Sequence, residues 1–518
     1  SPACGIRHTA YGCGYAALRL CGEFHLQCSN EVRLSQRDSM TNDSQPRTLI
    51  RGLGLWGALS VCIGGVIGTG IFLKPAAMFR EVGSVELLFA AWIVAGILSL
   101  MGALTYAELG AMRPETSGEY VYIKGAYGPL AGFVYAWATF VVAKPASIAS
   151  LGTGMATFAA AFGPLSGLSN KIVETPFSLS GIQVLSAAAI VVISAINYVG
   201  VRAAGAFQVI FTVLKVAGIG VIICIAFSAS VGSFGHFGMS YAAATGGIAG
   251  FFAAVVAALW AYDGWNFVTY VGGEIKNPQR NIPISLILGM AVIAFLYLSA
   301  NVAYLYVLTP EQIALSTRVA ADAALVAIGG GAMAVISVIT IISSTGALNG
   351  SVLTGARVPY AAARDGYFFK RIATVHPRFL TPSSAIVFQA VFSVALSLTG
   401  TFDRLTDLAV FWLWVFYVLT TSTIFLYRRR EPSTPRPYRT WGYPVVPALF
   451  CVVGAVMLVY TFQQGLTRSM MAESLNVPAG SPLHFWLSDS VVGLAVVLAG
   501  IPFYIVYRRL TKTKNSGQ

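Results

Sequence analysis

The sequence predicts an all-α membrane protein of about twelve transmembrane helices, arranged as two five-helix repeats of inverted topology. Three observations predict it. The first is composition: 56% of the 518 residues are hydrophobic and 10% charged, with a mean hydropathy of +0.72. A water-soluble fold of this length does not bury that much apolar surface. The second is recurrence: runs nearly free of charge, and long enough to cross about 30 Å of hydrocarbon, return along the chain. The third is a pair of interruptions, "GVIGTG" in the first run and "LWAYDGWNF" in the sixth. They lie five runs apart, the spacing of a fold whose halves each open on a discontinuous helix.

The runs fall near 54–79, 87–111, 127–162, 180–199, 205–228, 246–272, 283–308, 331–356, 383–400, 405–427, 443–463 and 489–507. Residues 54–228 then form the first repeat and 246–428 the second, with two further helices over 443–507. Residues 1–39 begin with Ser1, contain no long apolar core and lie outside this scheme; they read as a stretch ahead of a start at Met40, or as a disordered tail. Residues 40–53 read as a cytoplasmic lead-in and 508–518 as a cytoplasmic tail. Four of the seven cysteines lie in the first 39 residues, with neither a disulfide framework nor zinc spacing. Cys62, Cys224 and Cys451, in apolar runs, read as packing residues. No metal or cofactor is expected.

Charge sets the orientation. With the N-terminus placed in the cytoplasm, alternate loops hold 21 Lys/Arg inside and 5 outside, the excess expected of cytoplasmic loops. Both termini are therefore expected in the cytoplasm of a multi-pass protein of the cell membrane. The net charge of +13 is accounted for by these loops and does not indicate a nucleic-acid partner. Lys74, Lys144, Lys215 and Asp263 remain inside apolar runs, where each charge costs about 2.5–3.5 kcal/mol and marks a pathway or site. Lys74, near the outer end of its run, is expected to snorkel.

A helix broken at membrane depth frees backbone groups that are tolerated only where they line a cavity or meet a ligand. Beyond Gly68, Thr69 and Gly70 a second half-helix starts, and its N–H groups suit a carboxylate. The glycines let that carboxylate approach the backbone. The freed carbonyls of Val66, Ile67, Trp260, Ala261 and Tyr262 suit an ammonium group. Together they fit an α-amino acid. Close packing through small residues is the alternative for the glycines, and the second break at the matching repeat position weighs against it.

At these residues the chain resembles a known family. "GVIGTGIF", "YAELGAMRPETSGEYVYIKGAYG", "AYDGWNFVTYVGGEIKNPQRNIP" and "GALNGSVLTGARVPYAAARDGYF" look like the amino acid–polyamine–organocation superfamily. Within it they are most similar to the L-type amino acid transporters and their bacterial relatives. The resemblance implies a LeuT-like fold, alternating access and sodium-independent exchange of neutral L-amino acids. A proton-coupled symporter or exchanger of cationic amino acids or polyamines is the alternative. Mammalian members pair through a disulfide with a single-span glycoprotein. The loop that would carry the linking cysteine, "GPLSGLSNKIVETPFSL", has none, so no disulfide-linked heavy subunit is expected.

Carried over by motif, Gly68, Thr69 and Gly70 resemble the carboxylate turn, and Val66, Ile67, Trp260 and Ala261 the ammonium receptors, with Trp260 at the aromatic position that closes over substrate. Lys215, in "IFTVLKVAGIG", matches a family lysine and is expected to replace a coupling cation. It would bond the carbonyls of Gly64 or Gly65 and hydroxyls such as Ser343 or Ser344. Asp263 either caps the half-helix that follows it or pairs with a substrate ammonium. Thr345 is expected to floor the side-chain pocket and Asn349 to bond backbone or substrate. Lys144-Pro145 resembles a basic-Pro pair to which no role is assigned. A membrane-embedded enzyme is disfavoured, because His8, His25, His236, His376 and His484 all fall in loops or tails. A channel is disfavoured by the two unlike breaks.

Overall fold

The computed structural model describes residues 51–160, 163–173, 179–399, 402–474 and 496–508. The stretch expected as a tail, 1–39, most of the lead-in and the chain from 509 lie outside the described residues. The first run is two helices, α1 (Leu55–Val66) and α2 (Gly70–Val82). α3 (Val85–Met112) starts at Ser84, whose Oγ accepts the Leu87 amide at 3.2 Å, one of the N–H groups a helix start leaves unpaired. A short helix, α4 (Gly118–Tyr127), precedes the third run, which is α5 (Pro129–Ala138) and α6 (Lys144–Ala159) joined by a π turn, Thr139–Ala143. Pro145 has no N–H to continue the ladder, and the widened turn absorbs the lost bond.

A short antiparallel pair, β1 (Lys171–Val173) and β2 (Leu179–Ser180), leads into α7 (Gly181–Val199), an addition to the helical elements expected. α8 (Val201–Ser228) follows, then the second broken run: α9 (Gly247–Ala261) and α10 (Phe267–Tyr270), a single turn. α11 (Pro278–Val307) leads to two helices the sequence reading left as loop, α12 (Pro310–Leu315) and α13 (Val319–Ile328). A reciprocal Thr309–Gln312 cap starts α12. The chain continues through α14 (Ala332–Gly355), α15 (Arg357–Arg364), α16 (Ser383–Thr399), α17 (Phe402–Arg430), α18 (Val445–Ser474) and α19 (Val496–Arg508).

Among the described residues nine helical spans are long and apolar enough to cross a membrane, and the shorter α9, α16 and α19 occupy the remaining expected positions. The packing follows the repeat. α2 lies on α9, α3 on α11, α6 on α14 and α7 on α16, so four of the five runs in each half meet their counterparts from the other half. This is the twelve-helix, LeuT-like arrangement.

Two expectations are corrected. Lys74 does not reach an open surface: it is buried on α2, against which α12 and α13 also pack. Cys224 is not a core residue; it is exposed on α8, whereas Cys62 is buried. The outer face of α8 carries exposed Ile210, Val213 and Val221, as expected of a helix that meets hydrocarbon.

Candidate functional site

α1 stops at Val66 because Ile67 turns extended, with φ −71° and ψ 97°, and α2 starts after Thr69. α9 stops at Ala261, and Gly264 turns the chain at φ +108° before α10. The breaks meet through glycine. A Cβ on Gly70 would lie 2.6 Å from the Ala261 Cα, and one on Gly264 2.8 Å from the Gly65 carbonyl. Only glycine permits that approach and, at 264, that φ.

Between the breaks lies a small cavity lined by Gly65, Val66, Gly68, Thr69, Gly70, Trp260 and Asp263, with Ser147, Leu151 and Phe267. Six of the first seven were expected to bind substrate; Gly65 was expected to meet Lys215 instead, and the last three were not expected. Ser147 and Leu151 sit on α6, which is buried on nearly every side and mixes small polar with apolar residues all round, so it carries no periodic signal of which face looks onto the cavity. The start of α2 faces the cavity, and the buried Thr69 Oγ1 has no hydrogen-bond partner.

Several expected carbonyls are already engaged. The Ile67 carbonyl accepts from Lys215 Nζ at 2.6 Å and Ser343 Oγ at 3.3 Å. The Tyr297 hydroxyl on α11 lies 2.8 Å from the Ala261 carbonyl and 3.2 Å from that of Val66, so one proton ties the two breaks together. The Trp260 carbonyl accepts the Asp263 amide at 3.1 Å. Neither Ile67 nor Ala261 lines the cavity, so of the four residues expected to meet an ammonium only Val66 and Trp260 do.

Lys215 is fully buried and donates to the Gly64 carbonyl at 2.8 Å as well as to Ile67. It thus sits at the C-terminal end of α1, where the helix dipole favours a cation. The other partners expected for it differ. Gly65 packs against Phe267 and Gly264 instead. Ser343 does not bond the ammonium but shares Ile67 with it and also donates to Gly68 at 3.2 Å. Ser344, about 100° further round α14, donates to its own helix at Thr340.

Thr345 does not floor the cavity. Its hydroxyl donates to Ile341 at 2.7 Å and faces Met155. Asn349 is buried in a polar network, accepting from Asn197 and donating to Gln208 at 2.7 Å and to the Ala204 carbonyl, away from the cavity lining. Asp263 accepts the Gly264 amide freed in the turn but does not cap the first turn of α10, which has no side-chain cap. The turn at Gly264 carries its carboxylate toward α17, where Tyr417 donates to it at 2.5 Å.

A carboxylate the sequence reading quoted without assigning a role is the hub below the breaks. Glu119, at the start of α4, is 1% exposed and accepts from Tyr106 at 2.8 Å, Tyr135 at 2.7 Å, Tyr270 at 2.9 Å and Asn266 at 2.7 Å. The donors come from three separate parts of the chain, Asn266 and Tyr270 lying one turn apart at the second break, so spacing around Glu119 carries no trace of the hub.

Comparisons with known proteins identify the chain's relatives. The family model described as amino acid permease matches residues 53–482. The chain is 33% identical to the serine/threonine exchanger SteT of Bacillus subtilis, over 81% of this chain and 94% of that one. It is 30% identical to the human b(0,+)-type amino acid transporter 1, over 92% of each chain. It is also 30% identical to the human large neutral amino acids transporter small subunit 2, over 88% of this chain and 80% of that one.

Proposed function

Because the chain belongs to the amino acid permease family, and is a multi-pass amino acid transporter rather than an enzyme, we propose that it is a sodium-independent antiporter of neutral L-amino acids working by alternating access. One observation carries the reading: the start of α2 and the ends of α1 and α9 face a single cavity. A substrate carboxylate sits on the amides of Gly68–Gly70 and takes the free Thr69 hydroxyl. Its ammonium meets the carbonyls of Val66 and Trp260, and Trp260 closes over it. Lys215 supports sodium independence, since a fixed ammonium already neutralises the carbonyl end of α1. The loop without a cysteine at 163–179 supports a carrier that works without a disulfide-linked partner. The loop charges support a cell-membrane protein with both termini in the cytoplasm. A second reading, exchange of cationic amino acids, is favoured by the Asp263 carboxylate in the cavity wall.

Counter-transport into proteoliposomes tests the assignment. Amino acid amides and N-acyl amino acids compete about tenfold or more weakly than the parent amino acid, because each loses a charge-assisted bond worth about 1.5–3 kcal/mol. An amide that competes equally removes Gly68–Gly70 as the carboxylate receptor. Thr69→Val, which keeps shape and loses the hydroxyl, raises KM about fivefold, the cost of one hydrogen bond of about 1 kcal/mol, and leaves thermal stability unchanged. An unaltered KM places the substrate elsewhere.

A further inference from the structure

Lys144 is the first residue of α6 and 1% exposed, and its Nζ makes no hydrogen bond. It lies 3.8 Å over the ring of Phe267 and 5.1 Å from that of Tyr270. A buried ammonium held only by aromatic faces is unusual, because an unpaired buried charge is expensive. A purely structural lysine would be tied to carbonyls, as Lys215 is. The surroundings of Lys144 are those of the cavity. Phe267 and Asp263 line it, and so does Ser147, one turn further along α6. Asp263 and Glu119 are the carboxylates whose charge acts on the ammonium, and neither lies within hydrogen-bond distance of it. Glu119 is already met by four donors, whereas the side chains give Asp263 only the Tyr417 hydroxyl.

Four buried charges therefore surround the breaks: Lys144 and Lys215, Asp263 and Glu119. They sum to zero. A zwitterion with a neutral side chain leaves the site neutral. A side-chain ammonium adds an uncompensated charge at membrane depth, where such charges are costly. We propose that Lys144 is a specificity-determining residue: it is the countercharge of Asp263 and excludes substrates with cationic side chains from the cavity. The inference rests on the amino acid exchange reading above and names the substrate class of that site. It also accounts for an acidic residue in the wall of a neutral-substrate pocket.

The test uses arginine and citrulline, which have nearly the same shape and differ in side-chain charge. Each competes against a labelled neutral substrate in proteoliposomes containing the full chain. In the wild type arginine competes about tenfold or more weakly than citrulline, the size of a difference of about 1.4 kcal/mol. Lys144→Met reduces that ratio about tenfold, Lys144→Arg preserves it, and Lys144→Met with Asp263→Asn restores it. A lysine that only supports the fold would, when replaced, weaken both competitors alike and leave the ratio unchanged; that result overturns the proposal. If Lys144→Met does not fold, Asp263→Asn decides. It leaves both ammonium groups in place and widens the ratio about fivefold or more; an unchanged ratio overturns the proposal. A wild type that moves no amino acid refutes the exchange reading itself, a different outcome from an unchanged ratio in an active carrier.

Discussion

Lys215→Ala slows exchange by about tenfold or more while changing equilibrium substrate binding by less, because the buried groups it strands cost about 1–3 kcal/mol each. The ammonium holds the Gly64 and Ile67 carbonyls at 2.8 and 2.6 Å, at the end of α1 and next to the break. Ser343 on α14 shares the Ile67 carbonyl, so the lysine also couples α1 to α14. Neither contact touches the cavity lining, which is why the loss falls on the conformational step more than on substrate contacts. Charge-assisted hydrogen bonds of this kind are about twice as strong as neutral ones. Arginine is a poor replacement. A Cβ built on Gly346 would lie 3.0 Å from the lysine Cε, so the stem runs against bare backbone and a planar fork does not fit there. Wild-type exchange is indifferent to sodium. Uptake that rises steeply with sodium, or a Lys215→Ala protein that transports normally, makes the lysine a bystander.

The breaks were legible because glycines and a central Asp-Gly interrupt two otherwise apolar runs at matching positions of the repeat, which packing through small residues does not account for. The partners of Lys215 were legible only in part. Gly64 was among the expected acceptors, but which hydroxyl of α14 faces α1 depends on helical phase. Ser343 and Ser344 differ by about 100° of rotation, and a helix without an amphipathic face does not reveal which is turned inward. The engaged state of the Ile67 and Ala261 carbonyls was invisible for another reason. Their partners, Lys215 and Tyr297, come from helices far along the chain. The same holds for Glu119, whose motif was noticed while its four donors were not. α12 and α13 were missed because short helices outside the apolar runs carry little periodicity, and their absence led to the wrong expectation for Lys74. Asp263 was weighed as a cap from its position beside the break, and the φ of Gly264 redirects it.

Replacing either partner of the Glu274–Arg357 pair lowers the stability of the carrier by about 3–5 kcal/mol, the cost of leaving one buried charge uncompensated. Both side chains are 1% exposed, and the pair is bidentate, Nε to Oε1 at 2.6 Å and Nη2 to Oε2 at 2.9 Å. Arg357 also donates to the Leu353 carbonyl. The backbone around the pair joins four segments. The Glu274 carbonyl accepts the amides of Gly52 and Leu53, each at 3.0 Å, and Lys276 donates back to Leu53 at 2.8 Å. Ser117 donates its hydroxyl to the Arg357 carbonyl at 3.1 Å and its amide to that of Tyr270 at 2.9 Å. The lead-in to α1, the end of the second broken helix, the start of α4 and the start of α15 are thus latched together. A double-mutant cycle separates a true pair from two independent residues. Glu274→Gln and Arg357→Met each depress the thermal midpoint strongly. Glu274→Met with Arg357→Met recovers most of it, because a matched apolar replacement leaves no charge behind. Additive losses in the double variant would show that the two side chains do not act as a unit, and the latch would then rest on the backbone bonds to Gly52 and Leu53 alone.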